Sequence, residues 1–103
     1  MPSEAQIEKK LVKYCREHRI YCRKFSSPSN RGVPDRILGK DGKVLFMELK
    51  RPGNKPTALQ LNEGKILQSH QLAWVWCDSY ELAVEEIMKF FYLHEPVDPR
   101  DLI

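Results

Sequence analysis

The residues with the clearest chemical potential are Glu48-Leu49-Lys50, which close the apolar run Val44-Leu45-Phe46-Met47. If that run is a strand, alternation sends Glu48 and Lys50 to one face, about 6–7 Å apart, and Leu49 to the other. An acid and a base at the end of an apolar strand need compensation, because isolated buried charges are costly. Glu8-x-Lys10, Asp41-x-Lys43 and Glu63-x-Lys65 repeat the pattern. The first and last of these fall on predicted helices, where residues two apart do not share a face, and the second falls in a predicted turn. Asp35, in Gly32-Val33-Pro34-Asp35, stands thirteen positions before Glu48, and a hairpin between them would bring the two carboxylates together. Paired carboxylates repel unless a cation lies between them, and such oxygen ligands suit Mg²⁺ or Mn²⁺. A metal there would bind a phosphate oxygen and activate water, with Lys50 positioning that water or offsetting the growing charge. The plainer readings are a turn or cap role for Asp35 and a structural Glu48–Lys50 ion pair.

The elements that must position these groups follow from capping and periodicity. Ser3 with Gln6 makes a capping box for a helix over Glu4–Glu17, with Ile7, Leu11, Tyr14 and Cys15 at helical spacing. Tyr21 to Phe25 reads as a short strand, followed by the loop residues Ser26 to Gly32. Arg36-Ile37-Leu38 and Val44 to Lys50 bracket Gly39-Lys40-Asp41-Gly42, an antiparallel hairpin by its Asp-Gly. After the breaker-rich Arg51 to Pro56, Thr57 caps a helix over Ala58–Ser69, with Gln60 as its capping-box partner. Ala73 to Cys77 reads as a strand buried on both faces. Asp78 or Ser79 then caps a last helix carrying Leu82, Val84, Ile87, Phe90 and Phe91. The order is αβββαβα, and the segment from Val44 to Cys77 implies a parallel pair with a right-handed crossover. The expectation is an α/β domain, a mixed sheet flanked by helices, over residues 1–93, with a loose tail at 94–103.

At 12.1 kDa the chain has room for one small domain and excludes a multidomain enzyme. Its 42% hydrophobic and 30% charged residues suit a folded globular domain. Residues 1–57 hold 14 basic and 6 acidic residues, a net of +8, whereas residues 58–103 have a net of −5. That asymmetry points to a basic face for a polyanion, or to an ordinary solvated surface. No apolar run is long enough for a membrane span and no leader is evident, so the cytoplasm is the expected location. Cys15, Cys22 and Cys77 suit reduced thiols. Cys15-x2-His18-x3-Cys22 lacks the fourth ligand and second pair that structural zinc wants, so no zinc is expected. Trp74 and Trp76 share a face, more for core or interface than for stacking a base.

Pro34-Asp35 with Glu48-Leu49-Lys50 resembles the PD-(D/E)XK nuclease superfamily. The fuller set of Glu4, Arg31-Gly32-Val33-Pro34-Asp35, Phe46-Met47-Glu48-Leu49-Lys50-Arg51-Pro52-Gly53 and Gln60 is similar to its VRR-NUC branch. The resemblance spans about residues 3–90 and agrees with the order already read from periodicity, a restriction-endonuclease-like core. It implies a Mg²⁺- or Mn²⁺-dependent DNA endonuclease with the metal on Asp35, Glu48 and the Leu49 backbone carbonyl. It also implies Lys50 serving the nucleophilic water, with Gln60 and Glu4 completing the site and Glu8 as the fallback for Glu4. Lys24, Arg31, Arg51 and Lys55 are then the nearest phosphate contacts. Stand-alone viral members, which this chain resembles, are homodimers that cut branched DNA such as four-way junctions. The alternatives are a nucleic-acid-binding module without catalysis and a restriction-type enzyme acting on duplex. Members of the VRR-NUC family often carry Gly at the turn after the second helix, where this chain has Ser69-His70-Gln71.

Overall fold

The structure, a computed structural model, describes residues 1–92; the expected tail at 94–103 lies outside them. Three helices and four strands follow the expected order: α1 (Glu4–Glu17), β1 (Tyr21–Lys24), β2 (Arg36–Lys40), β3 (Lys43–Leu49), α2 (Ala58–Ser69), β4 (Ala73–Cys77) and α3 (Tyr80–Phe91). Both expected capping boxes form. Ser3 accepts from the Gln6 N–H while the Gln6 side chain accepts from Ser3, and Thr57 and Gln60 do the same at α2. Ser79, not Asp78, caps α3, its hydroxyl accepting from the Leu82 N–H at 3.0 Å.

The sheet order is β1-β2-β3-β4. β1 and β3 each pair antiparallel with β2, while β3 and β4 run parallel across the α2 crossover. The hairpin is tighter than the four residues read from sequence. Asp41 and Gly42 take φ of 52° and 80°, as a two-residue type I′ turn requires, so pairing continues down to Lys40 and Lys43. For the same reason β2 is longer than Arg36 to Leu38. β1 stops one residue short of Phe25 and β3 one short of Lys50.

Alternation divides the sheet into two faces. Leu38, Leu45, Met47, Leu49 and Cys77 meet Ile7, Leu11 and Cys15 of α1 and Ala83, Ile87 and Phe91 of α3 in one buried core. The other face carries Ile37, Phe46, Glu48, Trp74 and Trp76, and α2 covers its β3–β4 half. A Cβ at Gly64 of α2 would lie 2.6 Å from the Trp74 indole, so the helix rests directly on that ring. Trp74 is thus packed into the fold, in line with its core reading. The expectation that β4 is buried on both faces is not met: Ala73 to Trp76 are half-buried and only Cys77 is fully buried. β4 is an edge strand, and the strand enclosed on both sides is β3, with Leu45, Met47, Glu48 and Leu49 all at 1% exposure or less.

Helices α1 and α2 end alike. The Ile20 N–H donates to the Cys15 carbonyl at 2.8 Å and the Leu72 N–H to the Leu67 carbonyl at 3.0 Å, with Arg19 and Gln71 at φ of 58° and 61°. These are Schellman closures, and in α2 Gln71 occupies the position for which Gly is the usual choice. No helix among the described residues is long and apolar enough to cross a membrane.

Gly64→Ala tests the contact between α2 and the sheet. Helix propensity alone would favour Ala by about 1 kcal/mol, yet the Trp74 ring leaves no room for the methyl group. We expect net destabilisation of about 1–3 kcal/mol, read as a lower midpoint in urea unfolding.

Candidate active site

β3 carries Glu48 into the molecule. Its neighbours along the chain are apolar, its cross-strand partner on β4 is Trp76, and α2 lies over it, which leaves the side chain 1% exposed. The Gln60 amide, in the first turn of α2, donates from Nε2 to Glu48 Oε1 at 2.8 Å. The same Gln60 accepts the Thr57 N–H through its own Oε1 at 2.8 Å. Its two candidate roles, capping partner and site residue, are therefore held together by opposite ends of one amide. Lys50 lies on the same face as alternation requires, with Nζ 3.6 Å from Glu48 Oε1 and a side chain 13% exposed.

Asp35 comes in from the start of β2. Pro34 before it is fully buried, and the Asp35 carbonyl accepts the Phe25 N–H at 2.9 Å, continuing the β1–β2 ladder by one residue. Its side chain caps no turn: Oδ2 accepts the Leu49 N–H at 2.8 Å. Asp35 is thereby fixed against the main chain between Glu48 and Lys50. Gly32 sets the depth of this loop. At φ +87°, it lies so close to α2 that a Cβ would stand 2.6 Å from the Leu59 carbonyl oxygen and 3.0 Å from the Gln60 nitrogen. The Arg-Gly-Val-Pro-Asp loop and the Gln60 turn are thus in backbone contact. The sequence displayed this glycine but not what it touches, because the contact spans 28 positions.

Burial and the neighbouring Asp35 carboxylate push the Glu48 carboxyl up to about 8, against a smaller opposing pull from Lys50. While Glu48 Oε1 is served by Gln60 and Lys50, Oε2 is buried without a hydrogen-bond partner. An orphaned carboxylate oxygen beside a second carboxylate is a fitting place for a hard divalent cation. No three His, Cys, Asp or Glu side chains among the described residues converge on a metal position. The donors that the resemblance implies would be the two carboxylates and the Leu49 carbonyl. Mg²⁺ tolerates so few protein ligands because it keeps waters and takes up substrate phosphate.

The two helix-A glutamates differ in their surroundings. Glu8 pairs with Arg36 at 3.2 Å, whereas the charge of Glu4 is felt at Glu48. Glu4 also lines a cleft of about 630 Å³ with Pro2, Gln6, Arg51 and Asn54, between the start of α1 and the loop leaving Lys50. That loop is tied down by the Gly53 N–H, which donates to Asp78 Oδ2 at 3.4 Å. Lys24, Arg31, Arg51 and Lys55 are all exposed. Lys24 precedes the Phe25–Asp35 pairing, Arg31 flanks Gly32, and Arg51 follows Lys50. Away from this site, Cys15 and Cys22 are free thiols in hydrogen-bonding contact, and His18 stacks on Tyr14.

No family model matches the sequence. Over 61 residues the chain is 49% identical to a protein of Acyrthosiphon pisum secondary endosymbiont phage 1 named "Putative nuclease p44"; the match covers 58% of this chain and 66% of that protein, just under two thirds of its length. A solved structure titled "VRR_NUC domain protein" superimposes with a TM-score of 0.80 at 15% identity, over 91% of this chain and 92% of that one. A second, titled "VRR_NUC domain", gives 0.75 at 22% identity, over 86% and 97%. The chain has the fold of VRR_NUC domains, the mixed four-stranded sheet with flanking helices in the order αβββαβα.

Two outcomes test this geometry. In metal-free protein Glu48 is protonated when folded up to about pH 8 but titrates near 4.5 when unfolded. The stability it contributes is therefore full below pH 4.5, declines as pH rises, and is lost above about 8. Because a tenfold change in proton affinity corresponds to ~1.4 kcal/mol, the decline should reach a few kcal/mol in urea unfolding. Glu48→Gln should flatten that slope. Gly32→Ala should cost about 2 kcal/mol or more in the same measurement, from left-handed strain and collision with the Leu59 carbonyl.

Proposed function

We propose that this chain is a divalent-metal-dependent DNA endonuclease of the VRR-NUC type, hydrolysing phosphodiester bonds. The observation that carries the reading is the buried Glu48 carboxyl, partnerless at Oε2 beside Asp35, with Lys50 3.6 Å from its other oxygen. The likeness to a phage protein named as a nuclease supports it. Asp35, Glu48 and the Leu49 carbonyl would hold Mg²⁺ or Mn²⁺, which when bound supplies charge for a scissile phosphate and acidifies water. Gln60 keeps Glu48 Oε1 fixed, and the Leu49 N–H keeps Asp35 fixed, so both carboxylates are oriented before substrate arrives. Lys50 holds the attacking water and offsets the negative charge that grows on the phosphorane-like transition state. Glu4, at the neighbouring cleft, orients a second water, with Glu8 committed to Arg36. Arg51, Lys24, Arg31 and Lys55 bind flanking phosphates, which gives affinity without base sequence.

Branched DNA, a four-way junction above all, is the substrate class we favour, cut by a homodimer in the cytoplasm of the host cell. Leu59 and Ile66, seven apart on α2 and so on one side of it, are 55% and 44% exposed, and this apolar stripe suits association of two copies. The lack of a third side-chain ligand among the described residues is what favours the rival, a DNA-binding module without catalysis.

Incubation with labelled four-way junction, flap, single-stranded and linear duplex DNA in Mg²⁺, Mn²⁺ or EDTA separates the two. We expect metal-dependent cutting, greatest on the junction. Asp35→Ala should abolish it, and Lys50→Ala should lower it by roughly 10²–10³, both with DNA binding retained. Binding without cutting in either metal would establish the module instead, and site-specific duplex fragments a restriction-type enzyme.

A further inference from the structure

The face of the sheet that bears Glu48 is only half covered. α2 lies over β3 and β4, and the β1–β2 half stays open, with Tyr21 55% exposed and, beside it at the start of β3, Val44 43% exposed. The register orders this open half into rows. Tyr21 is level with Gly39 and Val44, and Arg23 with Ile37 and Phe46. Phe25, paired through its N–H with the Asp35 carbonyl, continues the same face one row further, level with Asp35 and Glu48. Successive rows are ~6–7 Å apart, close to the spacing of nucleotides along an extended strand. The ring of Phe25 meets that of Phe46 at 5.7 Å between centroids. Tyr21 lies under the Arg23 guanidinium at 4.6 Å, and Arg23 is held there by donating from Nη1 to the Cys22 carbonyl at 2.9 Å.

This shelf is aromatic, cationic and continuous with the carboxylate pair. From Tyr21 to Pro34 the chain has no acid, and of its three cations Arg23 stands on this face, Arg31 in the loop and Lys24 on the opposite face; the absence of acids favours a polyanion over a neutral or mixed protein surface. We infer that the Tyr21–Arg23–Phe46 shelf binds the unpaired DNA strand next to the scissile phosphate, its bases stacking on the Tyr21–Arg23 pair. Duplex hides its base faces in the stack, whereas a flap, a gap or a base unstacked at a branch point offers them, and aromatic and guanidinium planes take any base without reading it. The inference rests on the nuclease reading and deepens it: it makes unpaired nucleotides at the cut site the feature that is recognised.

The test uses anisotropy in EDTA with a short fluorescein-labelled oligothymidylate and a blunt duplex of equal length. Tyr21→Leu, which still covers Gly39, should weaken oligothymidylate binding about tenfold while changing duplex binding less than about twofold; Tyr21→Phe should restore it. Arg23→Gln should weaken both, oligothymidylate more. An unchanged oligothymidylate affinity in Tyr21→Leu overturns the inference, as does an equal loss on duplex. A dimer that dissociates in Tyr21→Leu by sedimentation velocity overturns it too, since the shelf would then be covered by a second copy. Cutting by wild-type protein in Mg²⁺ is scored separately. No cutting with Tyr21-dependent strand binding sinks the nuclease reading alone, and cutting indifferent to Tyr21 sinks the shelf alone.

Discussion

Burying an ionisable carboxyl in the middle of a small sheet is the constraint around which this molecule is organised. Glu48 sits on β3, enclosed from both sides, where an uncompensated charge would cost several kcal/mol. The fold meets that cost in pieces. Gln60 supplies one hydrogen bond, Lys50 supplies charge, and the remaining oxygen is buried without a hydrogen-bond partner. The raised affinity of Glu48 for a proton expresses this shortage of positive charge.

Each compensating group comes from a different element, so holding the site together amounts to holding the fold together. Asp35 is fixed by the β3 main chain through the Leu49 N–H. Gln60 is fixed by its own cap at Thr57 and by the pressure of Gly32 on the same turn. α2 is fixed in turn by Gly64 on Trp74. A shift of α2 along the sheet would therefore disturb Gln60, the Asp35 loop and the indole together. This interlocking explains how a chain with so small a core can keep a polar cluster rigid.

Much of this was legible in the order of residues. Capping boxes are local, so the bounds of α1 and α2 followed from Ser3–Gln6 and Thr57–Gln60. The hairpin followed from Asp41-Gly42, and the shared face of Glu48 and Lys50 from strand alternation. The miss at β4 has a definite cause. An unbroken apolar run shows that a strand is shielded from water but not which neighbour shields it, and here two half-buried tryptophans under α2 stand at an edge. The strand ends shifted by a residue or two because pairing, not composition, terminates a ladder. At Gln71 the turn expected to need glycine keeps its Schellman closure with a non-glycine residue at φ 61°.

What the sequence determined by itself was therefore what short-range physics controls: the elements, their caps, the hairpin, and a carboxylate–lysine pair on one strand face. Tertiary structure set the surroundings of the two glutamates of α1, one turn apart, pairing Glu8 with Arg36 and placing Glu4 on the cleft beside Arg51. It decided that Asp35 binds the Leu49 N–H, that Gly32 presses on α2, and that half of the face bearing Glu48 stays open beside Tyr21 and Arg23. These are contacts between residues far apart in the chain, set by packing and strand register, and no local pattern encodes them.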